Sequence, residues 1–161
     1  MGMGKIHSVD EPEQVISIHT PEQWRRRERE LVAWVQRPKH RRRSKQTAML
    51  GNMHIDAELL DALARLKRLG IETEFSCAGV SPLDEPEDHS LYAYVTLIAS
   101  ERADRFVASA MAHMRHRLLV TWEPGRSRYD LSSFYIGHNR SFCLLLQRSA
   151  EWFPASEETG G

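Results

Sequence analysis

The sequence predicts an α+β fold: a single sheet of about five strands, largely antiparallel, with helices packed on one face. Three observations predict it. Leucines recur at helical spacing from Leu59 to Leu69. Short segments rich in β-branched and aromatic residues follow them. The segments 71–76 and 91–98 have no helix between them, whereas a helix at 100–115 joins two strands. This order of elements favours a mostly antiparallel sheet.

Length and composition bound the class of protein. The 161 residues suffice for one domain with a buried core. With 41% hydrophobic and 27% charged residues, the chain matches neither a disordered nor a membrane protein. An apolar core behind a basic start is missing at the N-terminus, so we expect no secretory signal. Two cysteines are too few for a disulfide framework or a four-ligand zinc site. We therefore expect a soluble cytoplasmic protein without a metal.

Residues 1–52 are predicted to form an N-terminal region with a flexible lead, a helix and a basic arm. Thr20 is a candidate N-cap, and Pro21 occupies the first helical position. The helix predicted over 21–36 ends before Pro38, because a proline disfavours helical geometry in the residue that precedes it.

The basic arm is the clearest charge asymmetry. Ten basic residues and two acidic ones lie between Arg25 and Lys45, a net charge of +8 in a chain whose total charge is zero. The loop-like residues 38–52 therefore favour contact with the phosphates of RNA, DNA or a nucleotide. The alternative is a solvated loop paired with the acidic residues at 84–88. The predicted nucleic-acid contacts are the following basic residues: Arg37, Lys39, Arg41, Arg42, Arg43, Lys45 and Arg140.

Residues 53–153 are predicted to form the core domain, and residues 154–161 a flexible tail. Asp56 is a candidate N-cap for the leucine-rich helix, and Gly70 suits its left-handed C-terminal position. A turn is predicted at 137–139. The expected strands and the later helix, in chain order, are 71–76, 91–98, the helix 100–115, 118–122, 129–136 and 141–147.

The turn at 76–79 is the most specific local feature. A strand that ends in small residues and a glycine exposes backbone N–H groups, which can hold a phosphate, a carboxylate or an oxyanion. Cys77 is a candidate nucleophile if a histidine lowers its pKa, and His54, His89 and His138 are candidates for that role. The alternative is that Cys77 is a buried small residue.

Two further segments contain groups that bind anions or protons. The acidic loop at 84–88 matches no EF-hand spacing and is interpreted as solvated; folded over Cys77, it would place His89 beside the thiol. His138, Asn139 and Arg140 together can orient a phosphate or a base edge, although an ordinary hairpin turn is the alternative.

The stretch from His54 to Gly79 runs His-Ile-Asp, a leucine-rich helix, then Gly-Ile-Glu-Thr-Glu-Phe-Ser-Cys-Ala-Gly. It resembles the wybutosine-synthesising tRNA methyltransferase family, whose members have a strand that enters a Ser-Cys-Ser-Gly-Arg turn. The resemblance spans roughly 54–147 and implies a domain that binds S-adenosylmethionine and RNA, with this turn near the site. Ala78 and Val80 stand where the family usually has serine and arginine.

The predicted function is nucleotide or RNA binding, with S-adenosylmethionine-dependent RNA methyl transfer implied by the resemblance. The predicted catalytic group is Cys77, His89 and His138. The predicted cofactor-binding residues are Ser76, Ala78, Gly79 and Asn139. One alternative is a non-catalytic interaction protein or a homo-oligomer, in which the basic arm meets the acidic loop of a second copy. Another is a small hydrolase that uses Cys77.

Overall fold

The computed structural model describes residues 12–37, 47–50, 53–80 and 90–154. Its helices and strands, in chain order, are β1 (Gln14–Val15), α1 (Pro21–Gln36), β2 (Thr47–Leu50), β3 (Met53–Asp56), a 3₁₀ helix (Ala57–Leu59), α2 (Leu60–Arg68), β4 (Thr73–Cys77), β5 (Tyr94–Ile98), α3 (Glu101–Met114), a 3₁₀ helix (Arg115–Arg117), β6 (Leu118–Glu123), β7 (Arg128–Ser133), a 3₁₀ helix (Ile136–His138) and α4 (Asn139–Trp152). Among these described helices, none combines the length and the hydropathy that crossing a membrane requires.

The predicted α+β fold is confirmed. Five strands form one antiparallel sheet in the order β1-β6-β7-β5-β4, and β2 and β3 pair as a separate hairpin. Leu131 in β7 lies opposite Val95 on one side and Val120 on the other, and all three are fully buried. Because side chains alternate along a strand, these residues define one face of the sheet.

That face packs against three helices. α2, α3 and α4 contribute Leu66, Phe106 and Phe142 to the same buried cluster as Val95 and Leu131. A smaller buried cluster consists of Leu119, Phe134 and Tyr135. α1 packs against this smaller cluster through Trp24, whose ring centroid lies 4.9 Å from that of Phe134.

The α1 helix begins as its sequence indicates. The Thr20 hydroxyl accepts a hydrogen bond from the Gln23 N–H, and the Gln23 side chain accepts one from the Thr20 N–H. This reciprocal pair satisfies donors that a helix start would otherwise leave free. In contrast to the other α-helices, α1 contains no buried residue, so its packing on the domain is mostly at the surface.

Two local predictions near α2 have different outcomes. Gly70 has the predicted left-handed backbone, with φ +80°. Asp56 precedes the 3₁₀ helix but does not cap it with its side chain.

Part of the segment predicted as loop, Thr47–Leu50, is a strand. Four residues are too few to predict a strand from their sequence alone, and this strand is defined by its pairing with Met53–Asp56.

The predicted strand at 141–147 is wrong, because these residues belong to α4. The buried residues Phe142, Cys143 and Leu146 continue at helical spacing to Ser149 and Ala150, and this period becomes visible only beyond the apolar run. Cys143 is buried as expected, but on a helix. The predicted turn at 137–139 is wrong for the same reason: a 3₁₀ helix leads directly into α4. The fifth strand of the sheet is instead β1.

Some predictions fall outside the described residues. They concern the basic arm beyond Arg37, which includes Lys39, Arg41, Arg42, Arg43 and Lys45, and the acidic loop with His89. The tail at 155–161 also lies outside them.

Candidate nucleic-acid interface

The backbone donors of the turn at 76–79 are bonded within the protein. The Ala78 N–H donates to the Asp56 carboxylate, with an N···O distance of 2.7 Å. The Gly79 N–H donates a weaker bond to Cys77 Sγ, at 3.5 Å. An anion at this turn would have to displace Asp56, which already supplies the negative charge. The cofactor-binding role of Ser76, Ala78 and Gly79 therefore stays a prediction.

Hydrogen bonds of the Asn139 side chain join the end of this turn to the residues just before β5. Its amide donates to the carbonyls of Val80 and Leu91 at 2.7 and 2.8 Å, and its side-chain oxygen accepts from the Ala93 N–H at 2.9 Å. The residue is 2% exposed. Gly79 has φ +79°, and a Cβ there would lie 2.5 Å from Asn139 Nδ2. The close approach that glycine allows is thus to Asn139, whose position and contacts are structural.

Cys77 is buried and has backbone partners. Its sulfur accepts weak hydrogen bonds from the N–H groups of Gly79 and Ser90, and the side chain is 4% exposed. The ring contact of His138 is with Tyr135, at 5.2 Å between centroids. The other cysteine, Cys143, has its pKa raised to about 12, chiefly by burial. The described residues therefore give no support to a Cys77–His138 catalytic pair, which stays a prediction.

Two charged residues of α1, Arg27 and Glu30, form hydrogen bonds with the bend that leads from β7 into α4. The Glu30 carboxylate accepts hydrogen bonds from the Ile136 and Gly137 N–H groups, at 2.6 and 2.8 Å. Arg27, one turn earlier, donates to the carbonyls of Ser133 and Phe134. A carboxylate at free N–H groups before a helix is stabilising, since the backbone there carries partial positive charge. These contacts position α1.

Basic side chains from three segments lie beside this bend. The Arg26 guanidinium on α1 lies 4.3 Å from the centroid of the Tyr135 ring, and the centroid of the His138 ring lies 5.2 Å from it. Burial lowers the pKa of His138, and the positive charges of Arg117 and Arg26 lower it further. His116 has the same effect, and Glu30 opposes it. We call Arg26, His116, Arg117 and His138 the basic patch.

The basic patch contains one unsatisfied polar atom. His138 Nδ1 is buried and has no hydrogen-bond partner among the described residues. Buried ring nitrogens normally find a partner. Arg140 is exposed on the first turn of α4, two residues after His138. It is the predicted nucleic-acid contact closest in sequence to the basic patch.

His19 lies next to the basic patch and has a structural role. Its ring stacks on Phe134 at 4.0 Å between centroids, and its Nε2 lies 2.8 Å from the Ser17 hydroxyl. Burial lowers the pKa of His19, with smaller contributions from Arg27 and His116.

Arg37, a predicted phosphate contact, lies 3.8 Å above the Trp34 ring at the end of α1.

An acidic trio is found elsewhere on the sheet. Glu13, Glu123 and Asp130 bring carboxylate oxygens within 4.8 Å of one another. Burial raises the pKa of Glu13, and repulsion from Asp130 adds to the shift. Such trios are common at protein surfaces without an ion, and we assign no function to this one.

Comparisons with known proteins find no matching family model, curated protein or solved structure. The resemblance to the wybutosine-synthesis family therefore stays a prediction that rests on its short motif. The basic patch itself was missed by sequence reasoning, because its members are spread from Arg26 to His138. The one available signal was the Arg-His-Arg run of Arg115–Arg117, which the sequence places at the end of a helix.

Proposed function

We propose that this protein binds RNA by contacting phosphates at the basic patch. The observation that supports the proposal is geometric: Arg26 and His138 both contact the Tyr135 ring, and the Arg117 carbonyl accepts a hydrogen bond from the adjacent Phe134 N–H. The pKa of His138 agrees with this arrangement, since it is lowered chiefly by burial and further by the charges of Arg117 and Arg26. Glu30, the acidic residue among these neighbours, already accepts two backbone hydrogen bonds. A phosphate would therefore meet positive charge that the surrounding side chains balance only in part.

The chemistry of His138 supports the same ligand. A phosphate close to the ring would favour the protonated form, which offers a second N–H donor. It would also offset the repulsion from Arg26 and Arg117. RNA is favoured over an isolated anion because the patch is followed along the chain by Arg140, and because the basic arm supplies further positive charge in the sequence.

S-adenosylmethionine-dependent methyl transfer is implied by the family resemblance alone. The turn proposed to hold the cofactor has its Ala78 and Gly79 N–H groups bonded internally, and Asn139 is bonded at both ends of its amide. These internal hydrogen bonds give no support to a cofactor site, and S-adenosylmethionine binding stays a prediction. We derive no methyl-transfer step from them.

The test is binding to bulk tRNA, measured by fluorescence anisotropy over a salt series. Affinity should fall with salt, at a log–log slope of roughly −0.7 to −0.9 per phosphate neutralised. The double variant Arg26→Gln/Arg117→Gln should bind about tenfold more weakly, with a slope smaller by roughly 1.4–1.8, since two contacts are lost.

The matched control is Arg68→Gln/Arg148→Gln, which removes two exposed arginines from α2 and α4. It has the same net charge as the patch variant, so a general charge effect would weaken both equally. Equal loss in the two variants would contradict a specific patch. Absence of tRNA binding at low salt would overturn the proposed function. Light scattering over the same salt series would then test the alternative of self-association.

A further inference from the structure

A pocket of about 380 Å³ adjoins the basic patch. One wall is the chain that follows β1, and the other is the last turn of α3 with the 3₁₀ helix after it. The lining residues are Ile16, Ser17, Ile18, Met111, Ala112, Arg115 and His116. His116 belongs to both the pocket and the basic patch, so the two sites are continuous.

The walls of the pocket are mainly apolar and accessible. Ile18 is 91% exposed and Ile16 is 36% exposed, so the two isoleucines form an accessible apolar wall. Ala112 is exposed, and Met111 is half-buried beside it. An apolar surface that borders a charged rim is typical of a binding site for a ligand with both characters.

Two basic residues line the pocket. Arg115 and His116 are both exposed on the 3₁₀ helix Arg115–Arg117. Arg115 has φ +53° and ψ −129°, in the left-handed region that favours glycine. Residues held in this region are concentrated at functional sites, where the surrounding structure maintains them. Here the strained residue is an exposed arginine that lines a mainly apolar pocket.

A nucleobase matches this combination of groups. Unpaired bases in RNA stack on arginine guanidinium and histidine ring planes, and their flat faces tolerate apolar walls. The adjoining phosphates would then face Arg117 and Arg26. In a duplex the bases are stacked on one another and unavailable to such a pocket.

We propose that the partner is single-stranded RNA, with one unstacked base in this pocket and neighbouring phosphates on the basic patch. This inference rests on the proposed function, since the same patch supplies the phosphate contacts. It adds the class of RNA: unpaired segments rather than regular duplex. The pocket volume, near the lower end of the range for small-molecule sites, suits one base.

Three probes with equal numbers of phosphates per strand test it on the wild-type protein: a 12-nucleotide oligouridine, a 12-unit abasic ribose-phosphate oligomer, and a 12-base-pair RNA duplex. Each is measured by fluorescence anisotropy at one salt concentration and over a salt series. Oligouridine should bind roughly fivefold or more tightly than the abasic oligomer, because stacking of a base is lost. Its affinity should also exceed that of the duplex.

The variant Ala112→Leu fills the pocket from an exposed helical position and should reduce oligouridine binding to the abasic level. Its control is Ala108→Leu, the same change at an exposed position one turn earlier on α3 and outside the pocket lining. Binding of the abasic oligomer should be unchanged in both variants, since neither alters a charge.

The outcomes separate this inference from the proposed function. Equal affinity for oligouridine and the abasic oligomer overturns the base pocket but leaves phosphate binding intact. Tighter binding of the duplex than of oligouridine overturns the single-strand preference. Failure to bind any of the three probes overturns both proposals. Weakened oligouridine binding in Ala108→Leu as well as Ala112→Leu overturns the assignment of the pocket.

Discussion

His138 and Asn139 are neighbours in the chain, yet they belong to two regions of opposite character. Asn139 makes three hydrogen bonds to backbone groups around the turn at 76–79. His138 lies in the basic patch, has a lowered pKa, and leaves Nδ1 without a partner among the described residues. The side chain of Asn139 therefore has all its polar atoms hydrogen-bonded, whereas that of His138 has a buried nitrogen without a partner among the described residues.

This difference bears on which polar residues are candidates for a ligand site. Around Asn139, the donors that could hold a ligand are already bonded, so the polar groups there stabilise the fold. Around His138, burial lowers the pKa of the ring, and the positive charges of Arg117 and Arg26 lower it further. A ligand of opposite charge would be attracted to such a surface. The region without satisfied partners is therefore the better candidate site.

The strongest test of this comparison is the variant Asn139→Ala. Removing the amide leaves the Val80 carbonyl and the Ala93 N–H unpaired in buried positions, and it takes one of two donors from the Leu91 carbonyl. The free energy of unfolding should therefore fall by about 4 kcal/mol. Urea unfolding followed by circular dichroism measures the loss. His138→Ala is the adjacent control and should cost less than about 1 kcal/mol. Similar losses in the two variants would contradict the distinction between the regions.

Gly79→Ala should be the next most damaging change. The new Cβ would lie 2.5 Å from Asn139 Nδ2 and 2.6 Å from the Ala93 nitrogen, so we expect a loss of about 3 kcal/mol from strain and crowding. Gly70→Ala has nearly the same φ, but its nearest atom is 3.9 Å away. The control should lose only about 1 kcal/mol. Equal losses would show that backbone strain alone is responsible.

Glu30→Gln tests the docking of α1 on the bend. It removes a charge that accepts from two backbone N–H groups before α4, so the free energy of unfolding should fall by about 1 kcal/mol. Glu28→Gln, at an exposed position on the same helix, should change it by less than about 0.5 kcal/mol. Thermal unfolding of the two variants compares them directly, and no difference would argue against the cap.

The smallest expected effect is on the pH dependence of stability. The pKa values of His19 and His138 are lowered in the folded protein, so the unfolded chain binds more protons near pH 6.5. The free energy of unfolding should therefore decrease as pH falls from 7.5 to 6.0. In His19→Gln/His138→Gln this decrease should be smaller. Urea midpoints at the two pH values measure it, and an unchanged dependence in the variant would exclude these histidines as its source.

Much of the fold was predictable, because its signals are local. The capping pair at Thr20, the leucine spacing of α2 and the left-handed Gly70 each depend on a few neighbouring residues. β1 and β2 were missed, since short strands are defined mainly by their partners. α4 was misassigned because a short apolar run fits both a buried strand and a helix.

The candidate site was less predictable, and for a different reason. The turn at 76–79 was identified from its small residues, but the sequence does not show that its Ala78 and Gly79 N–H groups are bonded to the Asp56 carboxylate and to Cys77 Sγ. Likewise, Arg27 and Glu30 resemble ordinary charges on a helix surface until the bend they contact is known. The basic patch depends on tertiary contacts throughout, so only its Arg-His-Arg run was visible.

Glu30 and Ile136 are 106 residues apart in the chain, so α1 is synthesised well before its docking site exists. At ~5–20 residues per second, the interval is roughly 5–20 s on a ribosome. β1 likewise cannot pair until β6 has been synthesised. A nascent chain arrested before residue 136 should therefore be cut by proteases within α1, whereas the released protein should resist cleavage there. The N-terminal helix is thus made early and joins the folded protein only after most of the chain has been synthesised.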